Sequence, residues 1–451
     1  MKLSIIGGGG FRVPLVYQAL TAGGQLTADG QPTADDALID QVWLHDISAD
    51  RLAVIESVLS QLPHPAPVHA TTVLDQALAG SDFVFSAIRV GGLPGRIADE
   101  RAAIELGVIG QETTGPGGIA YALRTIPVAL RLAARVRAVA PQAYVINFTN
   151  PAGLITEAMR EVLGDRVIGI CDTPSGLGTR LAGLLGVPAR EVSLDYAGLN
   201  HLGWLRAARY QDRDLVAEIL DQDEALAQLE EAQIMGADWL RTLGMIPNEY
   251  LYYYYRNREA RRASRTGTRG EFLLAQQHGF YQHAAGQPAD ALAAWRRTLS
   301  ERESSYLAEA RPAGQERPAG GGGYEYVALA LMNAIARDQP RTMILNVRNA
   351  DTLPGLPPDS VVEVPCQVDG QGARPLPVTA PAGAELGLLQ QVKAVEQLTI
   401  ASARDRDPQL ALRAFALHPL VDSVSVASQL LAAYRRSTPA LFGAGDLVSP
   451  G

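Results

Sequence analysis

The stretch from Tyr144 to Trp204 limits the possible folds of this chain more than any other. It holds two short apolar runs, Tyr144-Val-Ile146 and Val167-Ile-Gly-Ile170. Runs without polar alternation read as strands buried on both faces, as in a parallel sheet. Each leads straight into polar residues. The first meets Asn147, Thr149 and Asn150-Pro151, and the second meets Cys171-Asp172-Thr173-Pro174. A third polar point, Asn200-His201, follows one helix later. In open parallel sheets ligands bind beyond the carboxyl ends of the strands. The two loops are therefore expected to face one crevice, with Asn200-His201 in reach of it.

Cys171 and His201 are the sharpest pair in that stretch. Thiolate and imidazole both suit a divalent transition metal. Their separation matches no zinc-finger spacing, so a metal site here would be open, completed by substrate or water. The plainer alternative is a buried structural cysteine and a hydrogen-bonded core histidine. Spacing alone favours that alternative, and the rest of the chain shifts the balance.

The 451 residues predict two domains, or one large domain with a lobe. Apolar residues make up 47% and charged residues 19%, the range of a soluble globular protein. A net charge of −9 argues against nucleic acid as the main partner. Two cysteines, Cys171 and Cys366, make no disulfide framework, and Cys366 reads as structural. With no leader-like or membrane-length apolar segment, the expectation is a cytoplasmic protein that binds no membrane.

The N-terminus reads as strand (residues 3–6), glycine loop (Gly7, Gly8, Gly9, Gly10) and helix (13–20). A dinucleotide pyrophosphate rests on such a helix N-terminus. Arg12 stands where a third glycine is usual, and a simple tight turn is the alternative. The next strand ends in Asp46, where a carboxylate can accept from an NAD ribose hydroxyl. Its late position follows from a Gly/Thr/Asp-rich insertion over residues 22–40. The strand at 83–88 ends in a loop with Arg89 and Arg96, which can hold phosphate through paired donors. Without context an exposed charged loop explains them as well. Next comes a glycine-rich loop, residues 110–118, of the kind that is functional or mobile. Antiparallel strands are expected at 205–210 and 215–216, and at 343–347 with 360–368. Helices are expected at 217–229 and 237–243. Tyr250 opens a tyrosine cluster in which some hydroxyls need polar partners. Arg317 sits in a Gly/Pro-rich segment.

Together these motifs resemble family 4 of the glycoside hydrolases, the NAD- and manganese-dependent 6-phospho-glycosidases. The likeness runs nearly end to end. It rests on Ile88-Arg-Val-Gly-Gly-Leu93, Gly110-Gln-Glu-Thr-Thr-Gly-Pro-Gly-Gly118, Asn147-Phe-Thr-Asn-Pro151, Gly169-Ile-Cys-Asp-Thr-Pro174, Gly198-Leu-Asn-His-Leu-Gly-Trp204 and Val361-Val-Glu-Val-Pro365. The resemblance implies a Rossmann-type NAD-binding domain over residues 1–195. A second α+β domain, of the lactate/malate dehydrogenase kind, would occupy 196–451. It implies metal ligation by Cys171 and His201, and cofactor contacts from Gly7 to Gly10, Phe11, Arg12, Asp46 and Asn147. It also implies substrate contacts from Arg89, Arg96, Asn150 and Arg317, with Tyr250 as base and Asp172 as acid. A homodimer or homotetramer is expected.

The implied chemistry is oxidation and elimination, an exception to the two-carboxylate rule. A hydride leaves sugar C3 for the nicotinamide and the C2 proton becomes acidic. A tyrosine removes that proton, the C1 group departs, water adds and the hydride returns. A divalent metal acts as Lewis acid at the C2 and C3 oxygens. Two departures from the family stand out. The first loop reads Gly10-Phe-Arg-Val-Pro14 in place of a Ser/Thr-containing loop, where Arg12 can take over phosphate contacts. The tetrad at Cys171 carries the aspartate of the 6-phospho-α-glucosidases, whereas the middle of the chain is closer to the β branch, and the balance favours a phosphorylated β-glucoside. The rivals are a 6-phospho-α-glucosidase or α-galactosidase, an NAD-dependent sugar dehydrogenase, and a non-catalytic NAD-binding sensor.

Overall fold

In the computed structural model the residues described are 1–21, 25–26, 32–33, 38–63, 66–263, 267–305 and 323–442. Six strands form the parallel part: β1 (Lys2–Ile6), β2 (Gln41–His45), β3 (Val68–Thr71), β4 (Phe83–Ser86), β5 (Tyr144–Asn147) and β6 (Val167–Gly169). They lie in the order β3-β2-β1-β4-β5-β6, all parallel. That is the doubly wound order of dinucleotide-binding sheets, as expected.

The apolar runs are continuous because both faces of these strands are covered. Phe83, Phe85, Ile146 and Ile168 feed one core. Val84, Val145 and Val167 alternate with them and feed the other. Helices Val13–Thr21, Pro116–Val139, Ala152–Leu163 and Thr173–Leu184 join or flank the strands. Pro127 lies inside the second of these without ending it.

The sheet continues with antiparallel strands β7 (Ser193–Leu199), β8 (Leu202–Tyr210), β9 (Arg341–Arg348) and β10 (Val361–Asp369). β9 and β10 pair from Arg341↔Val368 to Arg348↔Val361, the pairing the sequence suggests. β9 joins the parallel part through Asn346↔Gly169, and β10 joins β7 through Glu363↔Gly198. The fold is thus a Rossmann-type half and an α+β half sharing one sheet. The boundary expected at residue 195 falls within β7.

Two local expectations fail. Residues 215–216 are the start of helix Leu215–Leu220, not a strand. The Asp214 carboxylate accepts from the Val216 N–H at 3.1 Å, an N-cap that turns the chain into a helix. The single helix expected at 217–229 is split, with a second short helix at Asp223–Leu226. Among the described residues no helix is long and apolar enough to cross a membrane.

Candidate active site

The parallel strands end on one rim, so their following loops are neighbours. After β1 the glycine loop folds back onto β2: the Gly7 and Gly8 N–H groups both donate to the His45 carbonyl, at 2.9 and 2.8 Å. Gly7 has φ +89°, and a Cβ there would stand 2.6 Å from the Ala87 oxygen after β4. Only glycine fits that approach. The Asp46 carboxylate accepts from Gly9 N–H at 3.0 Å and Ser48 N–H at 3.1 Å. A carboxylate has about four acceptor positions, so it retains capacity for a ribose hydroxyl. Arg51 Nε and Tyr281 Oη both donate to the Gly9 carbonyl, at 3.2 and 2.6 Å. The Phe11 and Arg12 carbonyls are held by Trp295 Nε1 at 2.8 Å and Tyr324 Oη at 3.0 Å. The chemistry of this loop suits a pyrophosphate, because it opens helix Val13–Thr21, and the positive end of a helix dipole favours an anion.

Beyond β4 the two arginines converge on one carboxylate. Arg89 Nη1 and Arg96 Nη1 pair with separate oxygens of Glu112. Arg96 Nε also donates to Glu100 at 2.7 Å, whose other oxygen takes the Gly270 N–H at 2.9 Å. Burial pushes the Glu112 carboxyl up, but Arg89 and Arg96 outweigh it and hold it at about 2. Glu112 belongs to the glycine-rich loop, which hydrogen-bonds within itself. Its neighbour Gln111 accepts through Oε1 from Thr113 N–H and Thr114 N–H, both at 2.6 Å.

The next residue of the loop holds His201. Thr113 Oγ1 lies 3.1 Å from His201 Nδ1 and donates to Gln111 Oε1 at 3.1 Å. Gln111 Oε1 takes two backbone N–H groups, so it is the amide oxygen and the threonine proton goes to it. Thr113 Oγ1 then accepts from His201 Nδ1–H, which leaves the Nε2 lone pair for a metal. Burial lowers the His201 pKa to about 4 against a smaller upward pull from Glu112, so the imidazole is neutral and able to ligate. His201 has φ 63° in the tight turn joining β7 to β8. The Tyr250 ring stacks on the imidazole, centroids 3.7 Å apart and planes 2° apart. Asn248 fixes the Tyr250 turn by accepting its N–H at 3.1 Å.

Cys171, after β6, is buried. Burial raises its pKa well above that of an ordinary thiol, and Glu363 and Asp172 add to the effect over opposing hydrogen bonds at Thr173. Such a thiol ionises when a cation stands beside it, which is how metal binding releases protons. The Glu363 carboxylate also accepts from Asn200 Nδ2 at 3.2 Å, next to His201 in the chain. Among the described residues no three His, Cys, Asp or Glu side chains form a metal cage. A metal on Cys171 and His201 would take its other ligands from substrate or water, as the open-site reading requires.

The remaining sequence candidates divide. Asn150 precedes Pro151 through a cis peptide bond. Its Oδ1 is buried without a hydrogen-bond donor among the described residues, as suits an acceptor for a sugar hydroxyl. Asn147 is different, with its amide spent on protein. Nδ2 donates to the Thr149 and Ala152 carbonyls and Thr156 Oγ1, and Oδ1 accepts from Thr149 N–H. It shapes the Asn150 loop. The two family departures lie near enough for their charges to interact. The Arg12 guanidinium lies 4.4 Å over the Tyr324 ring, and Asp172 is among the charges that raise its pKa against the cost of burial. Arg317 lies outside the described residues. Sequence reasoning missed Glu112, Thr113 and Glu363. Their only signals are a glutamate in a glycine-rich loop and a glutamate between valines.

The comparisons with known proteins agree with this fold. The family 4 glycosyl hydrolase model matches residues 26–187, and the model of its C-terminal domain matches 196–421. A relative from Bacillus subtilis, named probable 6-phospho-beta-glucosidase, is 31% identical over 96% of this chain and 95% of its own. The 6-phospho-beta glucosidase of Thermotoga maritima, solved with NAD and glucose-6-phosphate, superposes with a TM-score of 0.81 at 26% identity, covering 97% of this chain and 98% of that one. A 6-phospho-alpha-glucosidase from gut microorganisms, solved with NAD and Mn2+, gives 0.78 at 25% identity, covering 98% of both. The chain belongs to family 4 of the glycosyl hydrolases.

Proposed function

We propose that this chain hydrolyses 6-phospho-glucosides, with a preference for the β anomer, using NAD and a divalent metal such as Mn2+. The observation that carries the reading is the loop Gly110–Gly118. Through Glu112 it holds Arg89 and Arg96, and through Thr113 it holds His201 with Tyr250 stacked upon it. An anion-binding pair and a metal-binding histidine are thereby built from adjacent residues. The named activities and bound groups of the relatives support the same substrate class.

In this reading NAD supplies reversible hydride transfer and the metal supplies Lewis acidity at the C2 and C3 oxygens. The chain does the rest. Arg89 and Arg96 bind the 6-phosphate in competition with Glu112, and Arg12 completes that site in place of the missing hydroxyls. Arg317 adds to it from its own segment. Asn150 Oδ1 accepts a sugar hydroxyl. Gly7, Gly8, Gly9, Gly10, Phe11, Arg12 and Asp46 cradle the cofactor, and Asn147 supports them by shaping the adjoining loop. Cys171 and His201 Nε2 hold the metal, Tyr250 removes the C2 proton and Asp172 protonates the leaving oxygen. Residues 1–195 and 196–451 act as cofactor and substrate domains of a cytoplasmic homodimer or homotetramer.

The test is turnover of aryl 6-phospho-β- and α-glucosides with NAD+ and Mn2+ under reducing conditions. Cleavage should need both additions, leave no net NADH and be fastest on the β anomer. Net NADH formation without release of the aryl group would identify a dehydrogenase. Equal turnover of unphosphorylated glucosides would end the phosphate reading.

A further inference from the structure

Across the middle of the sheet one row sets Asn346 and Glu363 between glycines, among apolar neighbours. The register reads Gly169↔Asn346, Asn346↔Glu363, Glu363↔Gly198 and Gly198↔Gly203. Glu363 is buried among valines on a strand with no free face. Its carboxylate accepts from Asn346 Nδ2 at 2.9 Å, Asn200 Nδ2 at 3.2 Å and Tyr196 Oη at 3.1 Å. The glycines make room for this layer. A Cβ on Gly203 would stand 2.5 Å from the Tyr196 hydroxyl, and one on Gly169 would stand 2.8 Å from the Asn346 Cβ.

A buried carboxylate is costly unless its donors are all in place, and hydrophobic residues fill such a position at less cost. The three donors offset that cost, and one of them, Asn200, leads to the site. Asn200 bonds Glu363 through Nδ2 and takes the Ala152 N–H on Oδ1 at 3.1 Å. One side chain thus joins the carboxylate, the His201 turn and the helix start that follows Asn150-Pro151. Gly169 and Gly198 each stand two residues before a site residue, Cys171 and Asn200.

We infer that Glu363 is the positioning residue of the metal site: its buried carboxylate locks the Asn200-His201 turn onto the Asn150 loop and so fixes His201 for a divalent cation. The inference rests on the proposed ligation by Cys171 and His201. Outer carboxylates of this kind typically change metal affinity by about 10- to 100-fold.

The experiment is a Mn2+ titration of the full chain followed by electron paramagnetic resonance at pH 8, with NAD+ affinity and Tm measured alongside. Glu363→Gln keeps the side-chain volume but removes the charge that strengthens the bonds from Asn200 and Asn346. It should weaken Mn2+ binding about tenfold or more while NAD+ affinity stays within about twofold. Asn200→Ala, which unties the turn and leaves the carboxylate, should also weaken Mn2+ binding several-fold, and it serves as the test if Glu363→Gln does not fold. Mn2+ affinity within twofold of the unmodified chain in whichever variant folds overturns the inference. Cys171→Ser and His201→Ala separate the two levels. If both leave Mn2+ affinity unchanged, the ligand assignment itself is wrong and the inference falls with it. If they abolish binding and Glu363→Gln does not weaken it, only the role of Glu363 is lost.

Discussion

Replacing Thr113 by valine removes one oxygen and changes almost nothing in volume. In the structure that oxygen accepts from His201 Nδ1–H at 3.1 Å while its own proton goes to Gln111. His201 is 8% exposed, so no bulk water takes over the contact. The variant leaves a buried N–H without an acceptor, or forces the proton to Nε2, the atom proposed to ligate. The first outcome costs about 1–3 kcal/mol, a factor of roughly 5 to 150 in affinity. The second removes the ligand's lone pair from the site. Mn2+ dissociation constants are therefore expected to rise about 10- to 100-fold. Thr113→Ser restores the hydroxyl and should recover most of the loss. NAD+ binding, read from protein fluorescence, should move by less than about twofold, since the Thr113 hydroxyl bonds to Gln111 and His201 and not to the Gly7–Gly10 loop. A valine variant that folds normally and binds Mn2+ as tightly as the serine variant would refute the tautomer argument.

Arg96→Ala should lower kcat/KM for phosphorylated substrate by about 10- to 150-fold, the worth of a charge-assisted hydrogen bond, with NAD+ affinity nearly unchanged. It should also lower Tm, because buried Glu100 and Glu112 each lose a partner. Equal losses in substrate and NAD+ binding would place Arg96 outside substrate recognition. Asp172→Asn should spare aryl 6-phospho-glucosides, whose leaving groups need no proton, and slow alkyl ones. Parallel losses on the two substrate types would remove Asp172 as acid. The fold itself should respond to acid through its buried histidines. Burial lowers His201 to about 4 and His418 to about 3, so the folded state favours their neutral forms. That stability is present above the unfolded pKa near 6.5 and is lost as pH falls from there toward 4. Each histidine should cost about 2 kcal/mol at pH 5. Urea titrations of His418→Asn at pH 7.5 and 5 should show a loss smaller by that amount, and an unchanged loss would mean His418 is protonated without cost.

The parallel half of the fold is legible in the sequence because its signals are local. The runs at Tyr144 and Val167 lack polar alternation since both faces are covered, and the loops after them necessarily share a rim. The pairing of β9 with β10 is equally local, two alternating runs with turn residues between. What stays hidden depends on long-range partners. Nothing beside Glu112 in the chain says that it faces Arg89 and Arg96, and nothing beside Thr113 says that it faces His201. Glu363 sits in Val361-Val-Glu-Val, where alternation would turn it to solvent. It is buried because Asn200, Asn346 and Tyr196 arrive from three other positions. Asn147 shows the converse, for its place after a strand suggests a ligand contact whereas its amide is used within the loop. The segment at 215–216 misleads because two apolar residues carry no period, and the Asp214 cap decides for helix.

The central claim is that bond cleavage proceeds through loss of the C2 proton to Tyr250 and not by displacement at C1. Turnover of an aryl 6-phospho-β-glucoside in D2O, with the glucose 6-phosphate product read by mass spectrometry and proton NMR, tests it most directly. The account predicts solvent deuterium at C2 of the product, with Tyr250→Phe slowing release of the aryl group by about 100-fold or more, the usual range for a lost general base. Product carrying only protium at C2, formed at the full rate, would contradict it.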